Sequence, residues 1–175
     1  MKTTLIGLIA AIFISISTIT QAAPPVPWAQ TDNMAPHTEA EIYSEFSKDN
    51  LTMHEIIKFY GATFDRLKSG PINLPPWSDK YLNIQQLNTA NLLTHLKNLQ
   101  VPDAYLNDKQ NVIDACISLQ SAINDMQTYI DSKNTDKDIY EQSAQEIKQA
   151  IQLKKDAWAK IETDLQTNGY KIPAK

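Results

Sequence analysis

Between Val112 and Ile130 the apolar residues Val112, Cys116, Leu119, Ile123, Met126 and Ile130 recur in steps of 4-3-4-3-4. A strand turns every second residue to one side, so only a helix gathers this series onto a single face. The same period fills most of the chain. Met53, Ile56, Ile57, Tyr60, Phe64 and Leu67 follow it up to Gly70-Pro71, and Leu82, Thr89, Leu92, Leu93, Leu96 and Leu99 follow it after Ser78. Tyr140, Ala144, Ile147, Ile151, Lys154, Trp158, Ile161 and Leu165 carry it to Gly169. No run between Thr52 and Gly169 alternates apolar and polar residues at period two, so the spacing predicts an all-α chain without a sheet.

Local signals set the expected boundaries. Thr38-x-x-Glu41 is a capping box, predicting a short amphipathic helix whose Ile42, Tyr43 and Phe46 share one side, with a break at Lys48-Asp49-Asn50. Thr52-x-x-Glu55 repeats the box and opens the first long helix. Ser78 is the expected N-cap of a second helix ending near Leu99, Val101-Pro102 the step into a third, and Asp131 to Thr135 the turn before a fourth. Consecutive amphipathic helices with short connections pack antiparallel. The expected fold is therefore all-α: an up-down-up-down four-helix bundle with an extra short N-terminal helix and a proline-rich leader.

The first residues read as an address. Lys2 precedes an apolar run from Leu5 to Ile19, and Ala22 precedes Ala23-Pro24-Pro25, the pattern of a secretory signal peptide cleaved near Ala22. The run is shorter than the roughly 20 apolar residues of a bilayer span, and no second such segment follows, so no stable membrane span is expected after cleavage. Residues 1–22 are thus a signal peptide, 23–37 a proline-rich extended leader and 38–175 a single helical domain. The predicted location is the periplasm or the extracellular space. A preference for Lys over Arg, with many Asn and Gln, points to a bacterium.

Composition then removes function classes. With 16 basic against 20 acidic residues the net charge is −4, and Arg66 is the only arginine, which argues against a nucleic-acid partner. The single cysteine, Cys116, leaves no internal disulfide, no CxxC pair and no CxxCH haem attachment, and its place in an apolar seam predicts a buried, inert thiol. No GxSxG elbow, phosphate-cradling glycine loop, HExxH or ExxH pattern occurs, so no enzyme is expected.

Two sets of residues remain as candidate sites. Antiparallel pairing of the first two long helices would bring His54 and His95 to one end, near Asp103 and Glu162 or Asp164, as candidate ligands for zinc or copper. On the second helix Ile84 and Leu87 form an apolar strip away from the Leu92-Leu96-Leu99 face, and Trp28 and Trp77 stand beside prolines as aromatic anchors; these four are the candidate partner-binding residues. The expected function is non-enzymatic binding of a protein partner, of adaptor, chaperone or inhibitor/immunity type, or of a second copy as a homodimer, with no cofactor. The alternative is a carrier of a small ligand (haem, lipid or metal) using the bundle core or the His54/His95 end.

Overall fold

The computed structural model describes residues 38–68, 77–133 and 135–173, the side chains of 65–68 and 77–80 excepted. The expected signal peptide, the expected leader with Trp28, and residues 69–76 lie outside them. Four α-helices, α1 (Glu39–Lys68), α2 (Trp77–Asn98), α3 (Leu106–Asp131) and α4 (Lys137–Thr167), and a 3-10 turn at Asp103–Tyr105 make up the described structure, and no strand occurs among the described residues. Among those residues no helix is long and apolar enough to cross a membrane.

The predicted capping box forms: the Thr38 N–H and hydroxyl donate to Glu41 Oε2 at 3.0 and 3.1 Å, and the Glu41 N–H donates to Thr38 Oγ1 at 3.3 Å. The expected short N-terminal helix and its break do not. α1 runs unbroken through Lys48-Asp49-Asn50, and Thr52, expected as a second cap, donates its hydroxyl to Lys48 O at 2.9 Å from within the helix. The reason is register. Ile42, Phe46, Met53, Ile56 and Tyr60 are all buried, and the position between Phe46 and Met53 that completes a 4-3-4-3-4 series is Asp49, itself 2% exposed. A polar residue in the seam reads as an interruption, but the apolar face continues across it.

The other ends follow simple backbone accounting. α2 begins at Trp77, one residue before the expected cap. Pro102 precedes the 3-10 turn rather than starting α3, and accepts the Tyr105 N–H at 2.9 Å. The Asp136 carboxylate caps α4 by accepting the Ile139 N–H at 3.3 Å. Gly169, at φ 91°, closes α4: the Tyr170 N–H returns to Leu165 O and the Gly169 N–H to Gln166 O, which satisfies two carbonyls of the last turn.

Side-chain pairs fix which stretches meet. Phe59 stacks on Tyr81 and His95 faces Glu45 and Asp49 between α1 and α2. Gln86 bonds Asn124 and the Cys116 thiol donates to Thr89 O between α2 and α3. Ser143 bonds Ala122 O and Lys160 approaches Asp108 between α3 and α4. Tyr43 packs on Trp158 and Phe64 on Tyr140 between α1 and α4. In each interface the numbers rise along one helix as they fall along the other.

The most extensive contact is between α3 and α4. On α3 the predicted seam from Val112 to Met126 is buried as expected, with Ile130 packed at its edge. On α4 the expected line holds in part. Ile147, Ile161 and Leu165 are buried as expected, but Tyr140, Ala144, Ile151, Lys154 and Trp158 are half-buried, and Ser143, Ala150 and Ala157 are buried in their place. Small residues occupy the closest approach and weigh little in a hydrophobic pattern.

Candidate functional site

A concave surface lies between α1 and α2. Leu51, Thr52, Glu55, Ile56 and Phe59 from α1 and Gln85 and Asn88 from α2 line an open groove of about 340 Å³. Phe59 stacks on Tyr81 with ring centroids 5.5 Å apart. On α2, Tyr81, Ile84, Gln85 and Asn88 share one side at helical spacing. Leu51 is 61% exposed and Tyr81 43% exposed, so apolar side chains stand open at this groove.

The sequence-predicted partner residues divide. Ile84 is half-buried, one residue before the groove-lining Gln85. Leu87 is 60% exposed and turned about 140° from Leu92 and about 180° from Leu96 around the helix, out toward solvent. Trp77 is the first residue of α2. The groove residues of α1 were not found in the sequence, because Leu51 sits beside the supposed break and Phe59 off the counted stripe.

His95 packs against α1 at Glu45 and Asp49. Its Nε2 lies 3.5 Å from Asp49 Oδ1 and 3.9 Å from Glu45 Oε2, while His54, five residues beyond Asp49 along α1, is exposed. Asp164, expected near His95, instead pairs with Lys160 at 2.5 Å, and Lys160 also approaches Asp108 Oδ1 at 3.4 Å. Among the described residues no group of three or more His, Cys, Asp and Glu is arranged to hold a metal ion.

Three polar clusters lie within the helix interfaces. Burial pushes the Asp49 carboxyl up to about 8, with the Glu45 charge adding to the rise and Lys48 opposing it. Burial pushes His95 below its ordinary value, with Glu45 opposing. Asp108, fully buried, is likewise raised by burial and by the charge of Asp164. Between α1, α3 and α4 the Tyr60 hydroxyl donates to Ser143 Oγ, which donates to Ala122 O at 2.7 Å. These clusters hold helices together; the sequence reading found none of them, because each carries its polar group at an apolar register position.

Cys116 sits behind Asp49, fully buried, its thiol donating to Thr89 O at 3.7 Å and pushed up to about 12 chiefly by burial. The nucleophilic thiolate is then scarce at neutral pH. Iodoacetamide at pH 7.5 is expected to label the folded protein at least a hundredfold more slowly than the urea-unfolded chain; labelling at the unfolded rate would place Cys116 at the surface.

No protein-family model, curated protein or solved structure matches the chain.

Proposed function

We propose that this protein is a non-enzymatic binding module that takes a protein partner in the groove between α1 and α2. The observation that carries the reading is the stacking of exposed Tyr81 on the Phe59 ring, with exposed Leu51 lining the same open concavity. Partner surfaces use such aromatic and aliphatic contacts at the centre and polar groups at the rim, the part Thr52, Glu55, Gln85 and Asn88 are suited to play. The carrier alternative draws less support: the void bounded by Phe46, Met53, Val112, Ala157 and Ile161 has only about 10 Å³, room for one water molecule and far below haem or a lipid chain.

The wider reading is an up-down-up-down bundle exported to the periplasm or beyond by a signal peptide ending near Ala22. The opposed numbering of the paired side chains supports the first part, and the apolar run from Leu5 to Ile19 the second. An acidic net charge of −4 favours a basic client.

The test compares proteins captured from extracts of the source cells by the wild type and by Leu51→Asp, Tyr81→Asp and Leu87→Asp, with helicity checked by circular dichroism. One specific partner should bind roughly thirtyfold more weakly to the first two variants, the loss of about 2 kcal/mol expected at an interface hot spot, and unchanged to the third. Equal capture by all four would end the groove reading. Sensitivity to Leu87→Asp alone would move the site to the solvent face of α2. Concentration-dependent sedimentation lost in Leu51→Asp would identify a second copy as the partner.

A further inference from the structure

The α1 seam carries one member that does not belong to an apolar core. Ile42, Phe46, Met53, Ile56 and Tyr60 are buried side by side, and Asp49 stands among them at 2% exposure. Its Oδ1 faces His95 Nε2 at 3.5 Å, and its buried Oδ2 has no hydrogen-bond partner. Such a group is tolerated only when paired or neutral.

The charged and titratable neighbours can be named element by element. From α1 come Glu45, whose carboxylate also faces His95 at 3.9 Å, and Lys48, which is 53% exposed and bonded to Glu45 at 2.6 Å. From α2 comes His95, with Lys97 further along acting on the thiol behind. From α3 comes Cys116, which feels the charge of Asp49. From α4, Lys154 borders the small void beside Asn50. A deprotonated Asp49 would therefore sit beside Glu45, with its one close cation already engaged and turned to solvent.

We propose that Asp49 is a proton-operated latch holding α1 against α2 and α3, so that losing its proton loosens this side of the fold. With the proton on Asp49 and His95 neutral, the carboxyl can share one hydrogen bond with Nε2 and bring no net charge into the interface. Without it, a carboxylate remains in a dry seam next to a second acid.

The direction in pH follows from which form holds more protons. Asp49 is raised from 3.8 to about 8 in the closed interface, so between those values the closed form keeps a proton that an opened, solvated Asp49 releases, and rising pH favours opening. His95, lowered from 6.5 by burial, works oppositely, since acid below 6.5 favours the opened, protonated form. The two trends offset below about 6.5, and Asp49 acts alone from there to about 8.

Cys116, the single thiol of the chain and buried behind Asp49, reports the opening. The full chain and Asp49→Asn are labelled with iodoacetamide at pH 6.5 and 8.5, and the rates are expressed as wild type over variant, which cancels the common rise of thiolate with pH. The expected ratio rises about tenfold or more, because each pH unit in the window favours opening by up to a factor of ten. The charge of ionised Asp49 acts on the thiol in the opposite sense, so a rise reports exposure and not reactivity. A flat or falling ratio overturns the latch. Glu45→Gln, which removes one cause of the raised Asp49 proton affinity, should move the transition to lower pH, and it serves where Asp49→Asn folds poorly. Amide exchange, corrected for its intrinsic pH dependence, should lose protection across residues 42–53 while 147–161 stay protected; uniform loss would also overturn it.

Discussion

Truncating Phe46 to alanine is expected to destabilise the fold by about 3–5 kcal/mol and to lower its melting temperature by roughly 10 °C. Phe46 is 1% exposed and borders the small void shared with Met53, Val112, Ala157 and Ile161. Its ring therefore borders a space walled by α1, α3 and α4, and these helices are already closely packed around it, with about 10 Å³ of free space left beside it. Neighbours held on separate rigid elements collapse poorly into the hole, so the lost burial is joined by a cavity penalty. Leu106→Ala, at a position 49% exposed, is the matched control and should change stability by less than about 0.5 kcal/mol. Urea unfolding of the two variants checks both numbers. A cost below about 1 kcal/mol at Phe46 would mean that residues 39–50 form a peripheral segment, as their sequence alone suggests, and not the first third of a core helix.

That contrast marks where the sequence was readable. Helical period, the α3 seam, the box at Thr38 and the stop at Gly169 were legible because each depends on neighbours within one or two turns, where side-chain spacing and backbone geometry act directly. The continuity of α1 was not, since Lys48-Asp49-Asn50 has the composition of a turn and only tertiary burial overrides it. The groove was not legible: of the α2 residues singled out, Ile84 is half-buried beside the groove-lining Gln85 and Leu87 is exposed, and neither lines the groove. A groove belongs to two helices at once, and its α1 wall of Leu51 and Phe59 cannot be assigned before the rotation of α1 against α2 is known. Asp49, Asp108 and Ser143 escaped notice for a related reason. A hydrophobic pattern counts them against the core, while the structure places them in it, opposite a histidine, a lysine and a tyrosine.

The polar groups are unevenly shared among the interfaces, which bears on how the parts hold together. The α1–α2 side carries the Asp49–His95 pair and the open groove, so it offers less dry apolar contact per turn. The α3–α4 side carries a continuous apolar seam, the hydroxyl bond from Ser143 to Ala122, and the most extensive contact in the fold. Local opening draws on the least dry interface first. A partner that occupies the groove and a proton that leaves Asp49 would both act on α1, while α3 and α4 serve as the fixed base.

Ala150→Leu is expected to destabilise that base by about 3 kcal/mol, whereas Ala144→Leu should change it by less than about 1 kcal/mol. Both residues are alanines on α4 and both changes keep a strong helix former, so propensity does not separate them. Geometry does. Ala115 and Ala122 on α3, and Ser143, Ala150 and Ala157 on α4, recur at seven-residue steps and are all buried, so the two helices meet along paired lines of small side chains. The Ser143 hydroxyl reaches the backbone carbonyl of Ala122 at 2.7 Å, a bond possible only where the helix surfaces nearly touch. A leucine at Ala150 must then push the helices apart or leave its rotamer well, and either response strains the Tyr60–Ser143–Ala122 chain two turns away. Ala144 is half-buried, so a larger side chain there can extend toward solvent along the α4 surface. Thermal and urea unfolding of the two variants decides between the lines: a larger loss at Ala144 than at Ala150 would turn the inner face of α4 back toward the Tyr140-Ala144-Ile151 row that hydrophobic spacing alone selects.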